Sequence, residues 1–215
     1  MNTLFHNYGR QRYRNKELIV ILNNDSMKMS DYITAAKSYK NVRIYRLPAR
    51  ISLGACLNYG VKRSRYNYIA KFDDDDYYAP NYLADSMRSM RQTNADIVGK
   101  RAHYMYLQGK KWLLLRFPGL ENKYVSFVQG ATLLVKRKVF RKVAFPNKNQ
   151  GECIGFCFSS RTKGLKIFSG RRHNFFAFRR KNARNHTWII SDNALLSRNV
   201  KVLKVGNVKK FVSRR

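Results

Sequence analysis

The sequence has few acidic residues, few cysteines and no long apolar run. Only 12 Asp and Glu stand against 44 Lys and Arg in 215 residues, so the formal net charge is +32. Three cysteines are too few for a disulfide scaffold, and we expect a reducing, cytoplasmic setting. No apolar run approaches the roughly 20 residues of a membrane-spanning helix. The first residues lack an apolar core, so we also expect no signal peptide.

The apolar content excludes a disordered basic tail. Hydrophobic residues make up 44% of the chain and aromatic residues 13%. A chain of this length is expected to form one domain, residues 1–215. Residues 1–96 hold 9 acids and 16 Lys and Arg, whereas residues 97–215 hold 3 acids and 28 Lys and Arg. The second half should attract anionic partners, although a basic surface that only keeps the protein soluble is an equal alternative.

The first half alternates strands and helices. Strands are predicted over residues 17–22, 42–46 and 68–72, and helices over 1–14, from Ser30 or Asp31 to Ser38, over 54–65 and over 80–92. Ile33 and Ala36 should lie on the buried face of the second helix. This order with short connections is typical of a parallel sheet covered by helices.

The second half has a mixed pattern. Strands are predicted over residues 95–99, 103–107, 111–116, 131–135, 165–169 and 175–179, and helices over 137–143, 152–163 and 192–198. The sequence contains no internal repeat and no long Gly/Ser linker. A single α/β domain accounts for both halves.

Four of the twelve acids are consecutive, Asp73 to Asp76, and they follow the apolar run 68–72. Adjacent carboxylates repel one another, so they need solvent, basic neighbours or a bound cation. A buried strand with carboxylates at its carboxyl end places them where ligands bind in open α/β sheets. An acidic turn without a ligand is the plainer alternative.

Four segments together resemble the family 2 glycosyltransferases, which have the GT-A fold. Residues 17–26 resemble the family's strand and polar loop, 53–60 its Leu-Gly-x-x-Leu-Asn-x-Gly helix, 68–76 its strand with an Asp-x-Asp motif, and 186–188 a late His-Thr-Trp segment. The resemblance implies an α/β domain with a mostly parallel central sheet and a mixed C-terminal part. It also implies transfer of a sugar from a nucleoside-diphosphate donor.

The resemblance assigns roles to the acidic block. Asp73 and Asp75 correspond to the Asp-x-Asp pair and would bind Mn²⁺ or Mg²⁺, with Asp75 the better candidate. The cation would stabilise the negative charge that develops on the diphosphate leaving group. Asp74 and Asp76 would support or contact the donor, and His186 would be a further metal or diphosphate ligand. A solvent-facing role is the alternative for each aspartate, and a structural or surface role for the histidine.

The donor nucleotide would lie over the loop of Asn23, Asn24 and Asp25. Here the chain departs from the family pattern, because Asn23 and Asn24 occupy the positions of the usual acidic pair. An amide presents a different set of hydrogen-bond donors and acceptors from a carboxylate. The identity of the donor is therefore left open.

The expected catalytic base is also altered. The family's late Glu-Asp pair falls on Glu152 and Cys153, and a thiol with a pKa of about 8.5 is a poor replacement for a carboxylate. Glu152 is then the best candidate base, and an acid that only favours the helix dipole is its alternative. Cys153 and Cys157 are four residues apart, which indicates packing on one helix face more than metal binding.

The family's first apolar strand is missing, because residues 1–14 already have a helical pattern. The resemblance implies that this strand would be central in the sheet, so its loss should leave backbone pairing groups exposed. A truncated reading frame, a fragment and a divergent relative that pairs differently are all compatible with this.

Three functions are compatible with the sequence. The first is a metal-dependent, inverting glycosyltransferase acting on a cell-surface or cell-wall polymer. Its basic half would hold an anionic acceptor, and the protein would also contact the inner face of an anionic membrane. The second is a catalytically degenerate relative that binds nucleotide or polyanion. The third, least favoured, is a nucleic-acid-binding module that uses the aromatic and basic strip 171–181, including Phe175, Phe176 and Phe178. The same alternation also describes an ordinary half-buried strand.

Overall fold

The first half of the chain alternates helices and strands, as its pattern predicts. The structure, a computed structural model, describes residues 1–181, 194–196 and 199–214. The first elements are α1 (Asn2–Gly9), β1 (Leu18–Leu22), α2 (Met29–Ala36), β2 (Val42–Arg46), α3 (Leu53–Arg63) and β3 (Tyr68–Ala70). The predicted strands and helices of this half are therefore confirmed, with shifts of a few residues at their ends.

The remaining elements form most of two larger sheets. They are β4 (Tyr77–Tyr78), α4 (Tyr82–Gln92), β5 (Ile97–Gly99), β6 (His103–Leu107), β7 (Trp112–Arg116), β8 (Lys123–Tyr124), β9 (Leu134–Lys136), α5 (Glu152–Thr162), β10 (Ile167–Ser169), β11 (Phe175–Arg179), β12 (Val200–Leu203) and α6 (Val208–Val212). The strands predicted over 103–107 and 175–179 are confirmed residue for residue.

The strands form three sheets with mixed pairing. β1 pairs with β2, the second sheet has the order β3-β9-β5-β10-β8, and the third has the order β12-β7-β6-β11-β4. Among the described residues only β1–β2, β5–β10 and β6–β11 are parallel pairs. The α/β class is confirmed, but a mostly parallel sheet is wrong, because β9 lies antiparallel between β3 and β5.

Strands β1 and β3 belong to different sheets. In the described part of the chain β1 pairs only with β2, and β3 only with β9, so each has one edge without a strand partner. Helix α1 instead connects the two regions: the Asn7 amide donates to the carbonyl of Asp76 at 2.7 Å, and the Tyr8 hydroxyl donates to that of Lys40 at 2.7 Å.

The core lies between the larger sheets and the helices that cover them. Phe156 and Cys157 of α5 are fully buried against the second sheet, and Tyr78 of β4 is fully buried within the third. The burial predicted for α2 is wrong, because Ile33 is 48% exposed and no residue of that helix is buried. The two-stranded sheet beneath α2 is too small to bury an apolar helix face.

Two further predictions differ from the structure. In place of the strand predicted over residues 131–135, the structure has a 3-10 turn, Gly130–Thr132, followed by β9. The Thr132 hydroxyl closes the turn by donating to the carbonyl of Gln129 at 2.7 Å. The helix predicted over 137–143 is a 3-10 turn, Arg137–Arg141. Most of the helix predicted over 192–198 lies outside the described residues. Within the described part, no helix has the length and apolar character to cross a membrane.

Candidate active site

The acidic block forms the turn between β3 and β4. The backbone amide of Lys71 donates to the carbonyl of Leu133 at 2.9 Å, which extends the strand pairing just beyond β3. The chain then leaves the sheet, and the four carboxylates enter different environments. Asp74 is exposed, Asp73 and Asp75 are half-buried, and Asp76 is buried. One sequence motif therefore supplies both solvent-facing and internal carboxylates.

Lys71 forms an ion pair with this block, and no sequence motif indicated it. Its ammonium group forms an ion pair with the Asp73 carboxylate, and its side chain is only 9% exposed. Burial by itself lowers the pKa of Lys71, but the charges of Asp73 and Glu152 raise it above its ordinary value. Lys71 is therefore a fixed positive charge between the acidic block and the start of α5.

Asp76 is held inside the protein. Its side chain accepts a hydrogen bond from the backbone amide of Phe178 at 2.8 Å, and the residue is 6% exposed. Burial, together with the negative charges of Asp73 and Asp75, raises the pKa of Asp76 well above its ordinary value. Asp76 thus connects the turn to β11, and the donor contact proposed for it stays a prediction.

Tyr78 fixes the backbone of the acidic turn. Its hydroxyl accepts a hydrogen bond from the Asp73 amide at 2.8 Å and donates one to the carbonyl of Ala131 at 2.7 Å. Its ring stacks on Phe72 with centroids 3.9 Å apart. The aromatic run after the aspartates is the only sequence signal that could have indicated this role.

The start of α5 brings Glu152 and Cys153 to the same region. The Cys153 thiol donates to the Glu152 carboxylate at 3.1 Å, and both residues are buried. Burial raises the pKa of Cys153 above its ordinary value, although Lys71 opposes this. Cys153 is therefore a protonated thiol at neutral pH, and Cys157, whose pKa burial raises to about 11, lies in the core.

Helix α3 holds the loop that leads to α5. The Asn58 side chain donates to the carbonyl of Phe145 at 2.8 Å and accepts from its amide at 3.0 Å. Gly54 donates its amide to the carbonyl of Lys148 at 3.0 Å, and an added Cβ there would overlap the carbonyl oxygen of Pro146. The Leu-Gly-x-x-Leu-Asn-x-Gly segment therefore positions Glu152 indirectly, which the sequence pattern did not reveal.

The predicted nucleotide loop follows β1. The Asn23 amide donates to the carbonyl of Ile51 at 2.9 Å, and the Asn24 side chain accepts from the amide and hydroxyl of Ser26 at 3.0 and 2.7 Å. Asn24 and Asp25 are exposed. These bonds give the loop a defined shape, and its role in donor binding stays a prediction.

The carboxylates of the acidic block supply some of the oxygen ligands that a hard divalent cation requires. Mg²⁺ is commonly bound through one or two carboxylates, with substrate phosphates and water completing the shell. Asp73 and Asp75 are half-buried and could supply such carboxylates, although Lys71 already pairs with Asp73. Among the described residues no three His, Cys, Asp or Glu side chains form a metal-binding group. His186, the other predicted ligand, lies outside the described residues.

The aromatic strip considered for nucleic-acid binding is β11. Phe175 and Phe176 are 0% and 3% exposed, so their rings cannot stack on bases. Phe178 packs against Tyr106 and the neighbouring core. The alternation is that of an ordinary buried strand, and the nucleic-acid interpretation of this strip is wrong.

Comparison with known proteins places this arrangement in a family. The family model described as glycosyl transferase family 2 matches residues 2–168. The O-antigen biosynthesis glycosyltransferase WbnJ of Escherichia coli is 29% identical over 153 residues, which cover 68% of this chain and 58% of WbnJ. An uncharacterized glycosyltransferase of Rickettsia typhi is 28% identical over 149 residues, which cover 62% of this chain and 45% of that protein. The chain thus spans about half the length of the curated relatives it matches.

Solved structures show the same fold. S. aureus TarS 1-349 in complex with UDP-GlcNAc superposes with a TM-score of 0.67 at 14% identity, covering 84% of this chain and 55% of that one. The complex of TarS 1-349 with UDP gives a TM-score of 0.61 at 14% identity, covering 83% and 56%. At this identity the likeness establishes the GT-A fold alone. The family model, in contrast, covers most of the sequence, and this chain therefore belongs to glycosyl transferase family 2.

Proposed function

We propose that this protein transfers a sugar from a nucleoside-diphosphate donor to a cell-surface or cell-wall polymer, with inversion at the sugar carbon. The observation that carries the proposal is that Lys71 pairs with Asp73 of the acidic turn and also feels the charge of Glu152 at the start of α5. A candidate donor-binding acid and a candidate base therefore act on the same lysine. The nucleotide loop of Asn23, Asn24 and Asp25 completes the proposed donor site.

The acidic block would hold the divalent cation. Asp75 and Asp73 are the proposed ligands, with His186 as a further one. When bound, Mn²⁺ or Mg²⁺ stabilises negative charge on the diphosphate leaving group as a Lewis acid. Lys71 balances Asp73 and limits the repulsion among the four carboxylates, so the turn is formed before any ligand binds.

Glu152 is the proposed general base. Its carboxylate would accept the proton of the acceptor hydroxyl while that oxygen attacks the sugar carbon. The thiol of Cys153 donates to it and fixes its direction, and a protonated thiol does not compete for the substrate proton. Cys153 is thereby a positioning residue that replaces the carboxylate expected at this place.

The charge of the second half favours an anionic acceptor. Residues 97–215 carry 28 Lys and Arg against 3 acids, and such an excess concentrates polyanions at the surface. WbnJ is an O-antigen biosynthesis glycosyltransferase and TarS 1-349 has been solved in complex with UDP-GlcNAc, which supports a surface polymer as acceptor and a uridine donor. Contact with an anionic membrane belongs to the same proposal.

The test is a calorimetric titration of UDP at moderate salt, with and without Mn²⁺. We expect binding that requires Mn²⁺ and that Asp75→Asn weakens at least about tenfold, because a carboxylate ligand and its charge are lost. Asp31→Asn is the matched control, since it makes the same change on the exposed face of α2. An affinity for UDP that changes neither with Mn²⁺ nor with Asp75→Asn would mean that the basic surface binds anions without a specific site.

Turnover separates an active enzyme from a degenerate relative. With UDP-GlcNAc as the donor, Glu152→Gln should keep Mn²⁺-dependent UDP binding and lose transfer or donor hydrolysis by about 100-fold or more. Wild-type protein that binds UDP but turns over none of a panel of nucleotide sugars would support the degenerate alternative.

A further inference from the structure

A second concave site lies at the other end of β3 from the acidic block. It is a cleft of about 660 Å³ between the end of α3, the start of β3 and the 3-10 turn Arg137–Arg141. Tyr68 at the start of β3 lines the cleft, whereas none of the proposed donor-site residues Asp73 to Asp76, Asn23 to Asp25 and Glu152 does. The proposed donor site and this cleft are therefore separate.

The charged side chains that line the cleft are all cationic. They are Lys62, Lys136, Arg137, Lys138 and Arg141, and we call this set the basic cleft. Acidic residues are absent from the described lining. None of the five side chains makes an ion pair or hydrogen bond in the described part of the chain, whereas Lys71, Lys100 and Arg172 each pair with an acid. The charge of the basic cleft is thus left unbalanced by the protein.

The fold holds the backbone of these cationic residues in place. Lys136 is the last residue of β9 and pairs in register with Tyr68 of β3. The amide of Arg137 donates to the carbonyl of Asn67 at 2.8 Å. Between Arg137 and Arg141, the ring of Phe140 stacks on Phe156 with centroids 5.3 Å apart, which fixes the turn to the core. A backbone that is fixed in this way does not have to be ordered when an anion binds.

The size and charge of the basic cleft indicate its ligand class. Its volume is that of an ordinary small-molecule site. Five cations that line one cleft favour an anion with several charges close together, and Lys and Arg both bind phosphate oxygens well. Phe140 and Tyr68 add apolar surface to the wall. We propose that the basic cleft binds a compact anion with several phosphate groups, either a free oligophosphate or a short stretch of a phosphate-bearing polymer.

Calorimetry with inorganic tripolyphosphate at about 0.15 M salt tests the proposal, because screening at that salt weakens diffuse attraction. The test variant combines Lys136→Gln, Arg137→Gln and Arg141→Gln. The control removes the same charge from exposed lysines elsewhere, by combining Lys123→Gln, Lys201→Gln and Lys204→Gln. We expect at least about tenfold weaker binding in the cleft variant and less than about threefold in the control.

Two outcomes would overturn the proposal. An equal loss of affinity in the cleft variant and the control would mean that tripolyphosphate binding depends only on the net charge. Loss of tripolyphosphate binding in Asp75→Asn would place the anion at the acidic block. The combination Lys136→Arg, Arg137→Lys and Arg141→Lys should retain binding because it keeps the three positive charges, and an unchanged circular-dichroism spectrum of the cleft variant excludes misfolding as the reason for its loss.

Long-chain polyphosphate distinguishes the two sources of the ligand. Equal affinity for tripolyphosphate and the long chain, both lost in the cleft variant, would indicate a free oligophosphate. Tighter binding of the long chain that the cleft variant still weakens would indicate a polymer. The proposal does not depend on sugar transfer, since Mn²⁺-dependent UDP binding and tripolyphosphate binding are separate readouts.

Discussion

His103 is a buried histidine with one hydrogen-bonded ring nitrogen. Its Nδ1 lies 2.9 Å from the carbonyl oxygen of Arg101, and its Nε2 has no partner among the described residues. Burial, with the charges of Arg116, Arg101 and Lys100, lowers the pKa of His103 to about 3 against the opposing effect of the Arg101 carbonyl. The folded protein therefore keeps this ring neutral.

This pKa predicts that acid destabilises the protein. Between about pH 3 and 6.5 the unfolded chain binds the His103 proton and the folded chain does not, so the free energy of unfolding falls as pH falls through that window. From pH 7.5 to 5 we expect a loss of about 1–2 kcal/mol from this residue. Urea unfolding at both pH values should show a smaller loss in His103→Gln than in the wild type.

The exposed His6→Gln is the control, and it should follow the wild type. Equal pH dependence in His103→Gln and the wild type would contradict a neutral, buried ring. The comparison is made between variants because Asp76, whose pKa burial raises, contributes with the opposite sign.

Among single residues, the aspartates illustrate what sequence can and cannot predict. The position of the block after an apolar strand could be predicted from the run 68–72. The separate environments of Asp73 and Asp76 could not, because they depend on Lys71, Phe178 and the other elements that surround the turn.

At the scale of elements, α3 contains two glycines with opposite surroundings. An added Cβ at Gly54 would overlap the carbonyl oxygen of Pro146, whereas at Gly60 the nearest atoms are side-chain carbons of Ile21 and Ile19 at 3.9 and 4.0 Å. Both lie inside the helix, where glycine costs about 0.5–1 kcal/mol relative to alanine.

We therefore expect Gly60→Ala to raise the free energy of unfolding by about 0.5–1 kcal/mol. Gly54→Ala should lower it by about 1–3 kcal/mol, because the loop of residues 145–149 must move. Thermal or urea unfolding of the pair measures both. A Gly54→Ala protein as stable as Gly60→Ala would contradict the close approach of α3 to that loop.

The position and buried face of α3 could be predicted from the local pattern, but its role in holding the loop before α5 could not. Leu57 and Val61 at helical spacing indicated a buried face, and both pack in the core. The bonds between Asn58 and Phe145 join residues 87 positions apart, and no local pattern encodes such a contact.

For the whole molecule, the division of the strands into separate sheets predicts uneven stability. β1 and β2 form an isolated two-stranded sheet and are mostly half-buried, whereas β5 is fully buried between β9 and β10. Two-stranded sheets are marginally stable in water, and regions with few buried contacts open first.

Amide hydrogen exchange measured by mass spectrometry should therefore be faster in peptides of β1 and β2 than in those of β5 and β9. Peptides of β6 and β11, a buried parallel pair in the third sheet, are the internal reference. Equal protection throughout would mean that another element covers the open edges of β1 and β3.

The sequence by itself determined the α/β class, most element positions, the basic second half and the glycosyl transferase family 2 membership, because strand and helix patterns, charge and short motifs are local properties of the chain. Only the tertiary structure decided the mixed pairing around β9, the burial of β11, the ion pair of Lys71 with Asp73, and the basic cleft. These features join residues far apart in the chain, and their partners are chosen by the packing of the whole core.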